Sequence, residues 1–581
     1  MLNIMVTKNI KYYLVAGLVS CGFSLVSTSC SDMLETDSDL IAYEKDHTLN
    51  QATDSVYSSL GIVYKLQSIA DRIALLGEVR GDLVTTTSTA SDDLKRISTF
   101  DFTGKNKYNE ISDYYAVINN CNYFIAHVDT AMHRRGRQLF LPEYAAAKTF
   151  RAWTYLQLAL AYGEVPLVLD PVLTERDARQ GMNQPNKTLA EICDYFINDL
   201  SPLAGVELPK FGEINKMDSR QFFISTRVML GDLCLWAGRY TDAAKWYHDY
   251  LTDVKDPVQL NAYNRIQWPN ITDYLYVSDG YFPTSTSEVV TYIPMETKVF
   301  DGVVSELPNL YNSTTENRYY YELTPSEGIK NLSSAQNYCF EVKQAGSSAD
   351  TVYARRSGLS NPLMVGDLRL YSVYSFHSFG QQNEFSEYSN MIQSINKVEK
   401  QFVPLYRRTM IYLRYAEALN RAGYPQSAMV VLKYGVCEDY MKQYVDSIEQ
   451  KAAGNLIYFN PTYFPKTDGD GNLMVCGIHS YGSGDAHADT LYCLPQPKEV
   501  LPTRQDTIDY QIPLVEDMII NEMALEGAFE GNRFYDLMRV ALRRNKPEYL
   551  ADAVSKRNGT VDAALRTLLM TEKNWYLPVV K

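Results

Sequence analysis

With 581 residues, 46% of them apolar and 21% charged, the chain has enough apolar surface to bury a large core, which excludes a disordered chain and a collagen-like fibre. Its formal charge of −14 at pH 7 repels phosphate backbones, so nucleic acid is not an expected partner. No Pro-rich, Gly/Ser-rich or single-sign linker divides it. One large body is therefore expected.

The first 29 residues read as a signal peptide to be left out of the fold. Lys8 and Lys11 supply positive charge, and the apolar run 12–26 that follows is short for a membrane span. Small residues Ser27, Thr28 and Ser29 lead into Cys30, an arrangement that resembles a bacterial lipobox, in which the cysteine becomes the acylated N-terminus. Removing residues 1–29 takes away two lysines and no acids, leaving a formal charge of −16. Of the nine cysteines, Cys21 falls in the signal and Cys30 at the anchor. The remaining seven are an odd number and imply no disulfide framework. They are expected to fill the core as small apolar side chains. Residues 30–49, with Asp32, Glu35 and Asp37, read as an acidic tether ahead of a first helix near residue 50.

Helical periodicity then marks 112–128, 140–162 and 219–252. In Leu230-Gly231-Asp232-Leu233-Cys234-Leu235-Trp236-Ala237-Gly238-Arg239-Tyr240, one helix is expected to stop at Gly238 and another to start near Thr241. Such a pattern is that of a tetratricopeptide-like hairpin, with Gly231, Gly238, Ala243 and Ala244 allowing close approach. Trp236 and Trp246 are expected in the core, as is the Trp153 stripe of 145–162. The pattern recurs at Leu413–Tyr424, followed by a helix from about 426 to 432.

Between 255 and 404 the texture changes to short Tyr-, Ser- and Asn-rich pieces broken by prolines, and 437–511 is a second stretch expected to be irregular. Long insertions on a helical frame tend to carry function. The frame itself is expected to span 50–254, 405–436 and 512–545, all within a single domain of residues 50–581. A helix over 514–530, a break at Gly531-Asn532, a helix to about 544 and an extended Trp575–Val579 close the chain.

Several segments together resemble the SusD/RagB family of nutrient-binding lipoproteins. They are Gly77-Glu78-Val79-Arg80-Gly81-Asp82, Tyr114–Asn122, Ala147–Tyr155 running into Tyr162–Val168, Leu413–Gly423, Glu522–Leu537 and Trp575-Tyr576-Leu577-Pro578. The resemblance implies a mostly α fold, a helical scaffold with tetratricopeptide-like hairpins and a large loop-rich ligand face formed by 255–404 and 437–511. It also implies an oligosaccharide ligand, a SusC-like TonB-dependent transporter as partner, and an outer-membrane position facing outward through a lipid on Cys30. A peptide-capture protein of the same family and a surface glycoside hydrolase are the alternatives.

The sequence carries no G-x-S-x-G, H-E-x-x-H or phosphate-binding Gly-rich loop, so no catalytic residue and no cofactor is expected. Cys476, His479, Asp485, His487 and Asp489 gather metal-ligand types in one loop, without the paired spacing of a structural zinc module, so no metal is assigned. Asp468, Asp470 and Asn472 start like a calcium loop, but Leu473 stands where the turn glycine belongs. A hairpin turn is the simpler reading. Arg533 and Asp536 beside Glu522, Glu526 and Glu530 read as ion pairs that pin the last helices to the frame.

Sugar rings present apolar faces that stack on aromatic side chains while acids and amides bond their hydroxyls. Trp268 in Gln267-Trp268-Pro269-Asn270, with Tyr274, Tyr276 and Tyr281 just beyond it, are the expected stacking residues. Alternation along an extended strand would put Tyr274 and Tyr276 on one face.

Overall fold

In the computed structural model the described residues are 52–579, apart from 135, 261–265, 267–284, 286, 299–301, 312–320, 344–349, 356–365, 379–390 and 399–401. Leu49–Lys581 cluster as one unit. Cys30 lies outside the described residues. Among the described residues no helix is long and apolar enough to cross a membrane.

The frame is an array of helices: α1 (Ala52–Glu78), α2 (Asp92–Thr99), α3 (Ser112–His127), α4 (Leu141–Tyr162), α5 (Leu189–Leu200), α6 (Thr226–Trp236), α7 (Tyr240–Leu251), α8 (Arg408–Arg421) and α9 (Pro425–Met429). The chain ends in α10 (Arg504–Gly527), α11 (Arg533–Arg544), α12 (Pro547–Ser555) and α13 (Ala563–Leu569). Helix α3 packs on α1 and α4, α4 on α5, α5 on α6, α7 on α8, and α8 on α10. In the middle of this array α4 buries nearly its whole circumference, from Ala145 through Tyr162. Its buried threonine hydroxyls are satisfied within the helix, Thr149 and Thr154 donating to the carbonyls of Ala145 and Phe150 at 2.8 Å each.

Two helical hairpins close in the same way. Gly238 (φ +73°) and Gly423 (φ +96°) take the left-handed conformation that ends a helix. Arg239 N–H reaches Cys234 O and Gly238 N–H reaches Leu235 O; Tyr424 and Gly423 repeat the pair on Leu419 and Asn420. Pro425 then opens α9 at its first turn, where a missing N–H costs nothing. Helices α6 and α7 approach so closely that a Cβ on Gly231 would lie 2.5 Å from the Tyr247 ring. Tyr247 therefore fills the seam, while Trp236 and Trp246 are only half-buried against the core. The expectation that both tryptophans are core residues is corrected: at this crossing the buried position passes to their neighbours.

The segments that carried the resemblance meet in space although they lie hundreds of residues apart. Glu78 accepts the N–H groups of Phe529 (2.8 Å) and Gly531 (2.9 Å). Arg80 donates to Leu76 O, Trp575 O and the Tyr535 hydroxyl at 2.7–2.9 Å, and its guanidinium lies over the Phe534 ring at 4.2 Å. Asp82 takes the fork of Arg533 at 2.6 and 3.0 Å. Arg539, six residues further along α11, grips Glu417 of α8 at 2.8 and 2.6 Å and Asp536 at 2.9 Å. These contacts are the ion pairs expected of Arg533 and Asp536, and they tie the last helices to the first and to the hairpin at 413–423.

Helix α10 starts at Arg504, about ten residues before the position read from the sequence, with Thr503 and Asp506 forming a reciprocal cap. Pro513 sits inside it. Asn420 and Arg544 side chains donate to the carbonyls of Ile512 (2.9 Å) and Pro513 (2.8 Å), which holds this turn of α10 against α8 and α11.

Candidate functional site

The 255–404 insertion is organised by two-stranded antiparallel ladders: β1 (Val84–Thr86) with β3 (Leu323–Pro325), β2 (Val289–Pro294) with β8 (Phe402–Arg407), β4 (Tyr338–Lys343) with β5 (Asp350–Arg355), and β6 (Tyr374–Ser378) with β7 (Met391–Ile395). Pairing of β1 with β3 also brings the hydroxyl-rich run after β1 to the insertion. There Thr87 and Thr89 both donate to Tyr321 O at 2.7 Å.

These segments are held by one buried turn. Ile266 N–H donates to Tyr481 O (2.9 Å), Leu368 N–H to Gly482 O (2.9 Å) and Asp485 N–H to Cys339 O (2.8 Å), while the Tyr338 hydroxyl reaches Ile266 O at 3.3 Å. The glycines are required for this approach: a Cβ on Gly482 would stand 2.0 Å from Asp367 Oδ1, and one on Gly484 2.0 Å from Cys339 O. Cys476, Ile478, His479, Ser480, Tyr481, Ser483 and Ala486 are all buried. The expectation of a ligand-facing irregular stretch over 437–511 therefore fails for this part, which is a hub beneath the loops. Further helices at Glu438–Tyr444 and Ser447–Ala453 occupy the start of the same stretch.

Under the hub lies a buried network of charges. Arg369 meets Asp367 (2.7 Å), Glu522 (2.6 Å) and Glu526 (3.0 Å). Arg407 meets Glu526 (2.8 Å), Glu530 (2.8 Å) and Glu288 (3.2 Å), and Lys397 meets Glu530 (2.5 Å). His479 Nδ1 bonds Glu522 at 2.8 Å, with the Tyr492 ring stacked on the imidazole at 3.7 Å. Burial alone would push the Glu522 carboxyl up, but Arg369 and His479 outweigh it and hold it at about 2. Burial wins at Glu288, whose carboxyl is raised, and at Lys397, whose ammonium is lowered. All of these groups are buried.

The four expected stacking residues, Trp268, Tyr274, Tyr276 and Tyr281, lie outside the described residues. The described flanks of their segment are both fixed to the frame. Ile266 is anchored to Tyr481, and Glu288 is bound to Arg407 (3.2 Å) and to the N–H of Thr409 (2.9 Å). Trp153 is in the core as expected, and Trp575 is buried with its indole N–H on Leu569 O at 2.7 Å.

In the loop with metal-ligand types, His479 is committed to Glu522, His487 Nε2 bonds Tyr434 O at 3.2 Å, and Asp489 accepts from Asn337 at 2.9 Å. Among the described residues no three possible ligands converge. Asp468 accepts from the N–H groups of Asp470 (2.9 Å) and Asn472 (2.8 Å), and Thr467 bridges Leu473 across the turn. Its carboxylate is spent on closing the expected hairpin.

No protein-family model and no curated protein matches the sequence. Solved structures do match in shape. A SusD superfamily protein from Bacteroides vulgatus superposes with a TM-score of 0.54 at 15% identity, over 92% of this chain and 96% of the other. One from Bacteroides thetaiotaomicron gives 0.52 at 14%, covering 85% and 89%. A SusD-like carbohydrate binding protein from Bacteroides fragilis gives 0.52 at 16%, covering 86% and 88%. At these identities the likeness establishes the architecture. The chain has the SusD-like fold, a helical scaffold that carries a loop-bearing insertion.

Proposed function

We propose that the protein is a surface lipoprotein that captures oligosaccharides on its loop face and delivers them to a SusC-like TonB-dependent transporter. The reading is carried by the fold: the chain shares the SusD-like architecture with a protein described as carbohydrate binding, and its loop-bearing insertion stands on a hub of buried polar groups above a network of ion pairs. A rigid base of this kind lowers the entropic cost of presenting rings to a ligand. Trp268, Tyr274, Tyr276 and Tyr281 are the stacking residues and Cys30 the acylated anchor. Several acyl chains hold a protein on a bilayer far more firmly than one, each buried methylene contributing roughly 0.8 kcal/mol.

The function is binding without a covalent step. Incubating the protein with a glycan panel and a peptide panel, and measuring both complex formation and product release, tests it. The proposal expects saturable binding of a glycan that is recovered intact. Peptide binding alone would point to peptide capture, and released shorter sugars to a hydrolase.

A further inference from the structure

Away from the insertions the helical frame holds a cleft of about 1020 Å³, at the upper end of the range of roughly 300–1,000 Å³ seen for small-molecule sites. Its walls come from the exit of α2, the end of α4, the start of α5, the end of α6, α11, α13 and the C-terminal segment, and none from 255–404 or 437–511. Three half-buried rings line it, Phe102, Trp236 and Tyr576.

Two of these rings are held in place before any ligand arrives. Tyr576 lies flat on Gly163 (φ +79°), where a Cβ would come within 3.2–3.4 Å of the ring carbons, so only glycine admits it there. Its hydroxyl donates to Glu572 at 3.2 Å, and the next residue is pinned by Leu577 N–H to Ala161 O. Trp236 carries the Arg539 guanidinium over its ring at 5.2 Å. Around the rings stand Glu164, Glu572 and Lys573, all exposed. Glu164 and Lys573 have no side-chain hydrogen bond or ion pair with the described residues.

Fixed rings flanked by uncommitted polar groups suit a ligand that has both apolar faces and hydroxyls. Two carboxylates against one ammonium, on a chain of net charge −14, disfavour an anionic one. We propose that this cleft is a second binding site, for the end of a neutral oligosaccharide, that works independently of the loop face. The sugar rings pack on Tyr576, Trp236 and Phe102, and their hydroxyls bond Glu164, Glu572 and Lys573.

The test is photo-cross-linking of the full chain with aryl-diazirine glycosides of neutral gluco-, galacto-, manno- and xylo-oligosaccharides, followed by peptide mapping. An oligogalacturonate and a hexapeptide bearing the same diazirine serve as comparisons. At least one neutral glycoside should label peptides spanning 100–104, 162–166 or 572–578, in the natural chain and equally in a variant with Trp268, Tyr274, Tyr276 and Tyr281 all changed to alanine. Labelling should fall about tenfold in Tyr576→Ala and in Glu164→Arg. The second variant alters only an exposed, unpaired side chain, so loss there with unchanged melting is not a folding effect.

Absence of cleft labelling by every neutral glycoside overturns the proposal. So does labelling that both variants leave intact, and so does preferential labelling by the oligogalacturonate or the peptide. Labelling of the loops with an unlabelled cleft removes only the second site. No sugar bound anywhere removes the glycan reading as well.

Discussion

A methyl group on Gly77 would lie 1.6 Å from the carbonyl oxygen of Gly531, and one on Gly531 would lie 2.4 Å from Ala74 Cα. Two backbones can meet there only because neither carries a side chain, and that meeting lets Glu78 cap the N–H groups of 529 and 531. Gly77→Ala is expected to destabilise by about 1–3 kcal/mol through forced separation, read as a lower urea midpoint. An unchanged midpoint would mean that this contact is not rigid. Arg533 presents a second case, because its fork faces an Asp82 carboxylate whose side chain is only 12% exposed. Arg533→Leu leaves that charge without its partner and is expected to cost about 3–5 kcal/mol, whereas the double change with Asp82→Leu should recover most of it. Failure of the double variant to recover would show that packing, and not the pair, sets the cost. Both positions stand within segments quoted from the sequence, and both roles depend on partners more than 400 residues away. Spacing along a chain says that such residues are unusual; it does not say what they touch.

At the scale of elements, the sequence located α3, α4, α7 and α11 to within a residue or two, as it did the end of α6, because each has apolar positions at helical spacing or small residues at a crossing; the start of α6 lies at Thr226, seven residues beyond the expected 219. It misplaced the start of α10, since Pro513 reads as a boundary while the Thr503/Asp506 cap that sets the true start lies upstream. Periodicity also set Trp236 and Trp246 in the core, where the burial pattern of the crossing favours Tyr247 and Leu235. The hub at 475–486 was read as surface because glycines and serines usually mark turns, yet here they allow close packing. Ion pairs join α8, α10 and α11, and they make a prediction about acid. Burial would raise Glu417 and Glu522, but arginines hold both at about 2 against an ordinary 4.5. An acid with a lowered folded pKa contributes stability that is present above its unfolded value and lost as pH falls toward the folded one. Urea unfolding should therefore show stability declining steeply between pH 4.5 and 2. A flat profile across that window would mean that these pairs are not formed.

For the whole molecule, the sequence conveyed the mostly helical architecture, because helical periodicity runs through most of the frame. It did not convey the cleft, whose walls are drawn from seven separate parts of the chain. No described helix is long and apolar enough to span a membrane, and the proposed attachment is through a lipid on Cys30. Cys30→Ala is expected to move the protein from the membrane fraction to the soluble one, and unchanged retention would refute the anchor. The central claim is that the loop face captures sugar through its aromatic residues. Isothermal titration of Trp268→Ala, Tyr274→Ala, Tyr276→Ala and Tyr281→Ala, each first shown to melt as the natural chain does, tests it most directly, using the tightest-binding glycan from the panel and loop-specific cross-linking to separate the two sites. At least one variant is predicted to lose about tenfold in affinity, the worth of one aromatic stacking contact. Natural affinity in all four would contradict the account and place the ligand elsewhere on the molecule.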